Sequence, residues 1–206
     1  MEKSNSYSFE HHPLLVVVSG PAGVGKDSLI QHMKERGCDL HFVVTATDRP
    51  PRPGEVHGTD YFFLTTEEFQ RLEQDGGLLE HAIVYGQHKG IPRQQVREAL
   101  QSGKDVIMRV DVQGAATVRR LAPEAVLIFL TASSEEELEQ RLRARGGDSP
   151  GQLRRRIATA KEEMRRQSEF DYVVVNRDGE LDQAVDRVIA IITAEHCRAK
   201  PRVVRL

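Results

Sequence analysis

The segment Gly20-Pro-Ala-Gly-Val-Gly-Lys26 has the glycine and lysine spacing of a phosphate-binding loop. Its glycines let the backbone approach a phosphate closely, so that successive N–H groups can surround the anion. A lysine at this position bridges the β- and γ-phosphates of a bound nucleotide. We therefore predict that the segment binds ATP. The predicted contacts are Gly20, Pro21, Ala22, Gly23, Val24, Gly25, Lys26, Asp27 and Ser28.

Asp27 departs from this pattern, which places a Ser or Thr ligand of Mg²⁺ directly after the lysine. A carboxylate is also a hard oxygen ligand that Mg²⁺ accepts, directly or through a water molecule. Ser28 does not replace the missing hydroxyl, because one residue further on lies about 100° around a helix. We therefore expect Asp27 to change how the metal is held and not to abolish ATP binding.

A second cluster of charged residues lies in the segment "TATDRPPRPGEVHGTDYFF". Arg49 and Arg52 are three residues apart on a proline-rich stretch, and Tyr61 follows them. Guanidinium groups bind phosphate oxygens bidentately, so two of them near a phenol suit a phosphate monoester dianion. The sequence therefore predicts a second anion site beside the ATP loop.

The apolar residues predict the framework that positions these sites. Leu14 to Ser19 form a continuous apolar run before the loop, which is typical of a strand buried on both faces of a parallel sheet. Further strands are predicted at 41–46, 61–64, 78–86, 104–111, 125–130 and 172–176. Helices are predicted at 26–36, 93–102, 113–121, 134–145, 151–168 and 180–195, and from an N-cap at Thr66 to Gly76. This alternation predicts an α/β fold with a mostly parallel central sheet flanked by helices.

Two segments interrupt the alternation. Residues 41–102 contain short strands and 134–168 are almost entirely charged helix, so we expect both to be lobes inserted in a nucleotide-binding core. The expected organisation is a flexible segment at 1–13, one domain at 14–196 and a basic tail at 197–206 with no clear element.

Composition narrows the class of protein. The chain has 206 residues, and 29 basic against 31 acidic side chains give a net charge of -2, which argues against a general nucleic-acid binder. Two cysteines without a CxxC spacing argue against a disulfide framework and against a cysteine metal site. No apolar run approaches membrane-spanning length, and the N-terminus lacks signal-peptide features. We expect a cytoplasmic protein with small-molecule partners.

From about Leu14 to Ile192 the sequence resembles the guanylate kinases. The matching motifs occur in order as "VSGPAGVGK", "RPPRPGEVHGTDYFF", "LLEHAIVYG", "VDVQGA", "RLRARG", "RRRIATAKEEM" and "YVVVN". The resemblance implies a P-loop NTPase core with a GMP-binding lobe and a helical lid at about 141–156. It also implies transfer of a phosphoryl group from ATP, with Mg²⁺, to GMP or dGMP.

The resemblance assigns roles on the acceptor side. Arg49, Arg52 and Tyr61 would hold the GMP phosphate, and Glu80 would accept hydrogen bonds from N1–H and the 2-amino group of guanine. Adenine lacks both donors, so a buried carboxylate would reject AMP. The full implied GMP set is Thr45, Arg49, Arg52, Tyr61, Glu80, Lys89 and Asp111.

On the ATP side, the resemblance implies that arginines of the lid close over the phosphates and that Asn176 lies near adenine. Asp111 would order a Mg²⁺-bound water or the substrate, and it is also a candidate helix cap; the two roles can coexist. The implied catalytic residues are Lys26, Arg49, Arg141, Arg145 and Arg156.

Several positions depart from the family pattern, among them Asp27, Lys89, Ile91 and Arg109. Lys89 replaces a phosphate-binding tyrosine and Ile91 a guanine-contacting serine. Arg109 replaces an acid, and it could pair with Glu80 or with the acceptor phosphate.

Two other functions stay open at this point. Ribose 1,5-bisphosphate phosphokinase, a relative, also carries aspartate after the loop lysine. A non-catalytic guanylate-kinase-like interaction module is the other alternative. The retained "RPPRPGE" block and Glu80 favour a GMP site over a bare sugar phosphate. We expect direct in-line transfer of the phosphoryl group to GMP without a covalent intermediate, because neither cysteine has a diagnostic partner and no Ser/His/Asp arrangement is visible.

Overall fold

The computed structural model describes residues 11–84, 86–144, 146 and 149–206. The strands are β1 (Leu15–Ser19), β2 (His41–Phe42), β3 (Thr45–Thr47), β4 (Tyr61–Phe63), β5 (Leu78–Val84), β6 (Gln87–Pro92), β7 (Val106–Arg109), β8 (Val126–Thr131) and β9 (Tyr172–Val175). The α-helices are α1 (Lys26–Glu35), α2 (Thr66–Gln74), α3 (Arg93–Gln101), α4 (Val112–Leu121), α5 (Glu135–Ala144), α6 (Pro150–Met164) and α7 (Leu181–His196), and a 3₁₀ helix covers Arg165–Glu169. No helix within these described ranges is long and apolar enough to cross a membrane.

The central sheet confirms the predicted α/β fold. Its strands follow the order β2-β7-β1-β8-β9, and every neighbouring pair is parallel. Strand β1 is buried on both faces: Val16 and Val18 pack into one core, whereas Leu15 and Val17 pack into the other. Because the strand has no solvent face, its sequence is continuously apolar. The phosphate loop follows the carboxyl end of β1, the edge at which parallel sheets bind ligands.

A second sheet, with the order β4-β3-β6-β5, forms most of the inserted lobe at 41–102. It is mixed, since β3 runs parallel to β4 and antiparallel to β6. The prediction of one strand at 41–46 is wrong, because the chain leaves the central sheet after Val43 and enters the second sheet at Thr45. The side chain of Gln95 bonds both N–H and C=O of Val44 at the crossing, at 2.7 and 3.2 Å. These bonds satisfy a backbone that belongs to neither ladder.

Helix α2 begins one residue earlier than its predicted cap implied. Thr65, not Thr66, is the N-cap: its side chain accepts from the N–H of Glu68, whose carboxylate accepts from the N–H of Thr65. The hydroxyl of Thr66 instead donates to Asp48 in the preceding loop. Because two threonines are adjacent, the local sequence does not show which of them is the N-cap. The reciprocal hydrogen bonds of the capping box identify Thr65.

The basic C-terminal tail has no helix or strand, as predicted, but it packs against the domain. Val204 and Leu206 contact the core that contains Leu15. The guanidinium group of Arg202 bonds both carboxylate oxygens of Glu195, at 2.8 and 3.2 Å. Burial alone would raise the pKa of Glu195, but hydrogen bonds from Arg202 and from Tyr172 bring it below its ordinary value. The tail therefore neutralises a buried acid of α7.

We expect Arg202→Met to destabilise the protein by about 3 kcal/mol, because it leaves the buried Glu195 carboxylate short of its main partner. Arg198 and Tyr172 still contact this carboxylate, which keeps the loss near the low end for a broken buried pair. Urea unfolding at neutral pH measures the effect. Lys200→Met, at an exposed position of the same tail, is the matched control. Equal stability of the two variants would contradict the role of Arg202.

Candidate active site

The phosphate loop has the backbone that its glycines predict. Gly20, Gly23 and Gly25 have φ values of 139°, 88° and 93°. A Cβ atom on Gly20 would lie 2.0 Å from the carbonyl oxygen of Leu130, so only glycine fits there. Helix α1 starts directly after Gly25, and it therefore directs its first N–H groups and positive end toward an anion in the loop.

Lys26 folds back over the loop. Its ammonium group donates to the carbonyl oxygens of Gly20 and Pro21, at 2.6 and 3.0 Å. Burial lowers the pKa of Lys26, while the nearby acids Glu163 and Asp27 act in the opposite direction. Nucleotide phosphates would supply a stronger partner for this cation than two carbonyl groups do.

Two side chains that support the loop come from distant parts of the chain. The amide of Asn176 is buried and donates to the carbonyl of Val24 at 2.8 Å. The carboxylate of Glu163, on α6, accepts a 3.3 Å hydrogen bond from the N–H of Ala22, and burial raises its pKa. Asn176 thus stabilises the phosphate loop. This role differs from the predicted one, in which Asn176 lies near adenine. Glu163 was missed, since its sequence setting "KEEM" is that of any charged helix.

Asp27 and Arg109 form an ion pair beside the loop. The distance from Nε of Arg109 to Oδ1 of Asp27 is 2.6 Å. The side chain of Arg109 is 16% exposed and that of Asp27 is 69% exposed, so a mostly buried cation meets an acid at the surface of the cleft. The sequence left Glu80 or the acceptor phosphate as partners of Arg109, but the described ion pair of Arg109 is with Asp27 and not with Glu80.

Two arginines lie against the ring of Tyr61, and of the predicted acceptor-phosphate residues only Arg49 is one of them. The guanidinium carbons of Arg49 and Arg109 lie 4.8 and 5.2 Å from the centre of its ring. Arg49 is buried, and its fork binds both oxygens of Glu55, at 2.6 and 2.7 Å. Arg49 holds the pKa of Glu55 at about 2. Glu55 also accepts the backbone N–H of Arg52, whose side chain is exposed.

Glu55 was not predicted as a site residue, although it lies within the quoted "RPGE" segment. Its carboxylate occupies the bidentate fork that a phosphate would use, so the acceptor arginine has a carboxylate partner in the absence of substrate. The predicted residues Thr45 and Lys89 lie on the same sheet, buried on β3 and half-buried on β6. The charge of Lys89 also lowers the pKa of Lys26, which places it near the ATP side.

Glu80 is the most unusual acid of the site. It is 5% exposed, and its Oε2 atom has no hydrogen-bond partner among the described residues. A Cβ atom on Gly114 would lie only 2.5 Å from this oxygen, so the glycine of α4 makes room for the carboxylate. Burial, with a smaller contribution from the charge of Asp111, raises the pKa of Glu80 to about 8. A buried polar atom without a partner is a candidate binding group for a ligand.

The structure confirms the predicted role of Asp111 as a helix cap. Its Oδ1 atom accepts the N–H of Gly114 at 2.7 Å and so begins α4. Its charge opposes the burial that lowers the pKa of Lys26, and it contributes to the raised pKa of Glu80. Asp111 therefore acts electrostatically on one residue of the ATP loop and on one predicted residue of the acceptor site.

Two of the three predicted lid arginines lie within the described residues. Arg141 donates to the carbonyl oxygen of Asn176 at 2.8 Å and pairs with Glu137 on its own helix. Arg156 lies half-buried on α6. Arg145 falls outside the described residues.

Comparisons with known proteins agree on one family. The family model described as guanylate kinase matches residues 12–195. Guanylate kinase 2, chloroplastic/mitochondrial, of Oryza sativa is 50% identical over 195 residues, covering 94% of this chain and 68% of the relative. The guanylate kinase of Halalkalibacterium halodurans is 45% identical over 185 residues, with 90% of each chain covered. The crystal structure of guanylate kinase from Anaplasma phagocytophilum superposes with a TM-score of 0.75 at 29% identity, covering 93% of this chain and 90% of that one.

Proposed function

The chain belongs to the guanylate kinase family, and from this premise we propose that it transfers the γ-phosphoryl group of ATP to GMP or dGMP. The products are ADP and GDP or dGDP, as purine nucleotide recycling requires. The observation that carries the proposal is the buried Oε2 atom of Glu80, which has no hydrogen-bond partner among the described residues. The arginines that lie against the ring of Tyr61 support a phosphate site in the same lobe.

On the acceptor side, the carboxylate of Glu80 reads N1–H and the 2-amino group of guanine. AMP offers no donor at these positions, so it would leave a buried carboxylate unpaired. Arg49 and Arg52, with Tyr61, bind the phosphate, and Glu55 yields the fork of Arg49 to it. Thr45 and Lys89 line the same sheet and complete the acceptor site.

On the ATP side, the N–H groups of the loop residues 22–25 surround the β-phosphate, and Ser28 lies in the first turn of α1 behind them. Lys26 exchanges the loop carbonyls for the β- and γ-phosphates. Asn176 keeps the loop in shape, and the arginines Arg141, Arg145 and Arg156 of the lid approach the phosphates when the lid closes. These cations offset the repulsion between two polyanionic substrates, which is the main electrostatic obstacle to the reaction.

The donor set also suits Mg²⁺. Asp27 keeps its Oδ2 atom and most of its surface available beside the loop, and Asp111 has a second oxygen beyond the one that caps α4. Hard carboxylate oxygens of this kind bind Mg²⁺ directly or through water. Asp27 and Asp111 would hold the ion, and when bound with ATP it would neutralise charge that develops on the phosphates.

The reaction follows from this placement. In this proposal the acceptor phosphate and the γ-phosphate of ATP meet in one cleft, where a phosphate oxygen of GMP attacks the γ-phosphorus in line with the departing ADP. No covalent enzyme intermediate is required. Closure of the lobe at 41–102 and of the lid excludes water, which would otherwise accept the phosphoryl group.

An acceptor panel tests the proposal. We expect ADP release from ATP-Mg with GMP and dGMP, and at least about 100-fold slower release with AMP, because the Glu80 carboxylate then stays unpaired. A coupled ADP assay measures each rate. Turnover with ribose 1,5-bisphosphate alone would indicate the sugar-phosphate kinase instead. Absence of turnover with every acceptor would indicate a binding module.

A further inference from the structure

Two departures from the family pattern, Asp27 and Arg109, meet in one ion pair. Asp27 is the second residue of α1, directly after the loop lysine, and Arg109 is the last residue of β7. Their 2.6 Å contact joins the first turn of the loop helix to the strand next to β1. A serine or threonine, the usual residue at position 27, offers no charge to hold this arginine.

Arg109 also reaches the acceptor side. Its guanidinium group lies 5.2 Å from the ring centre of Tyr61, and that of Arg49 lies 4.8 Å from the same ring. Contacts therefore run without interruption from Asp27 through Arg109 and Tyr61 to Arg49. One end of this series lies at the ATP loop, and the other is the fork that binds the acceptor phosphate in the proposed function.

We propose that Asp27 and Arg109 are a positioning pair that couples the ATP loop to the GMP phosphate site. This inference rests on the proposed function for the identity of the acceptor. Asp27 fixes the guanidinium group of Arg109 beneath Tyr61, and Arg109 neutralises an acid that would otherwise repel the phosphates of ATP. Asp27 thus supports the GMP site across the pair, and Arg109 supports the binding of both substrates.

The charges determine the expected effects of substitution. Asp27→Asn frees Arg109 and loosens Tyr61, so GMP binding weakens while ATP binding does not. Arg109→Met removes the support of Tyr61 and leaves an uncompensated carboxylate beside the loop, so both substrates bind more weakly. Because Asp27 is mostly exposed, solvent screens the pair and the effects are modest, about tenfold in each dissociation constant.

A double-mutant cycle with calorimetric binding tests the pair. Titrations of ATP and of GMP in the presence of EDTA separate the role of Asp27 in the pair from any role as a Mg²⁺ ligand. We expect the ATP affinity lost in Arg109→Met to return to within about threefold of wild type in Asp27→Asn/Arg109→Met, since the repelling acid is gone. For GMP, the double variant should be no weaker than either single variant. Asp75→Asn, an exposed acid at the end of α2, controls for a general change in charge.

Two results would contradict the proposed pair. One is a double variant in which the affinity losses of the single variants multiply, and the other is a GMP affinity that is unchanged in Asp27→Asn. Melting temperatures measured in parallel identify a variant that is merely unfolded. Failure of the proposed function has a different signature, because wild-type protein would then neither bind nor phosphorylate GMP. The ATP arm of the cycle still tests the ion pair in that case.

Discussion

Replacing Glu80 with glutamine lowers kcat/KM for GMP by about 10³-fold at pH 8, on the basis of two charge-assisted hydrogen bonds lost from a buried site. Glutamine has nearly the same volume, but it presents an amide NH₂ where guanine presents its own donors. The affinity for ATP should stay within about threefold of wild type, because Glu80 is assigned to the acceptor site and not to the ATP loop. Steady-state kinetics with each substrate varied in turn separates the two effects.

The raised pKa of Glu80 adds a dependence on pH to this prediction. The free enzyme holds the carboxyl group protonated below about pH 8, whereas guanine requires the carboxylate. Binding of GMP must therefore release a proton, so we expect its affinity to increase about tenfold per pH unit as the pH rises toward 8 and then to level off. Calorimetric titration of GMP in buffers of different ionisation enthalpy measures the released proton.

Glu80→Gln is the control for the pH effect, since it has no proton to release at this position. The gap between wild type and the variant should narrow as the pH falls toward 6. The phosphate of GMP also titrates near this pH, and it does so equally in both proteins, so the comparison cancels it. An unchanged pH slope in the variant would show that another group controls GMP binding.

The raised pKa of Glu80 has the opposite effect on stability: a higher pH favours GMP binding but lowers the stability of the folded protein. The pKa of Glu80 is about 8 in the folded protein and about 4.5 when unfolded, so the folded state holds more protons between these values. Stability of the unliganded protein therefore falls as the pH rises from about 4.5 to 8. Glu80→Gln removes this loss and should be more stable than wild type at pH 8, by on the order of 3–5 kcal/mol, and nearly equal at pH 4.5. Denaturant unfolding of both proteins at about pH 4.5 and about pH 8 measures these differences in stability.

Local sequence was sufficient for those parts of the site that follow each other along the chain. The loop from Gly20 to Lys26 was predictable because its chemistry depends on short spacing after a buried strand. The capping role of Asp111 was predictable for the same reason. In each case one segment supplies both the backbone and the functional group.

Contacts between distant segments were not predictable in this way. The pairing of Asp27 with Arg109 depends on the neighbouring positions of β1 and β7, which local patterns do not define. Glu163 reaches the loop only because α6 folds across it. The same limitation explains the wrong strand at 41–46, since the apolar run there does not show that its two halves join different sheets.

Gly114 offers a second way to test the acceptor site, by moving the carboxylate of Glu80 without removing it. A methyl group at this position would lie 2.5 Å from Oε2 of Glu80 and 3.0 Å from Cβ of Val110. The carboxylate must then shift away from the space in which it meets guanine. We expect Gly114→Ala to raise the KM for GMP by about 30- to 100-fold, as the partial loss of charge-assisted hydrogen bonds implies. The KM for ATP should change little.

The matched control is Gly151→Ala on α6, where an added methyl group meets no atom within 4 Å. Both substitutions replace a glycine in the first turn of an α-helix, so their effects on helix propensity are similar and a difference between them reflects the clash with Glu80. Because Gly114→Ala acts through the carboxylate, its effect on GMP should be much smaller in the Glu80→Gln background. Full GMP affinity in Gly114→Ala would contradict the proposed position of guanine. An effect of the same size in both backgrounds would instead assign the loss to a general distortion of α4 at its Asp111 cap.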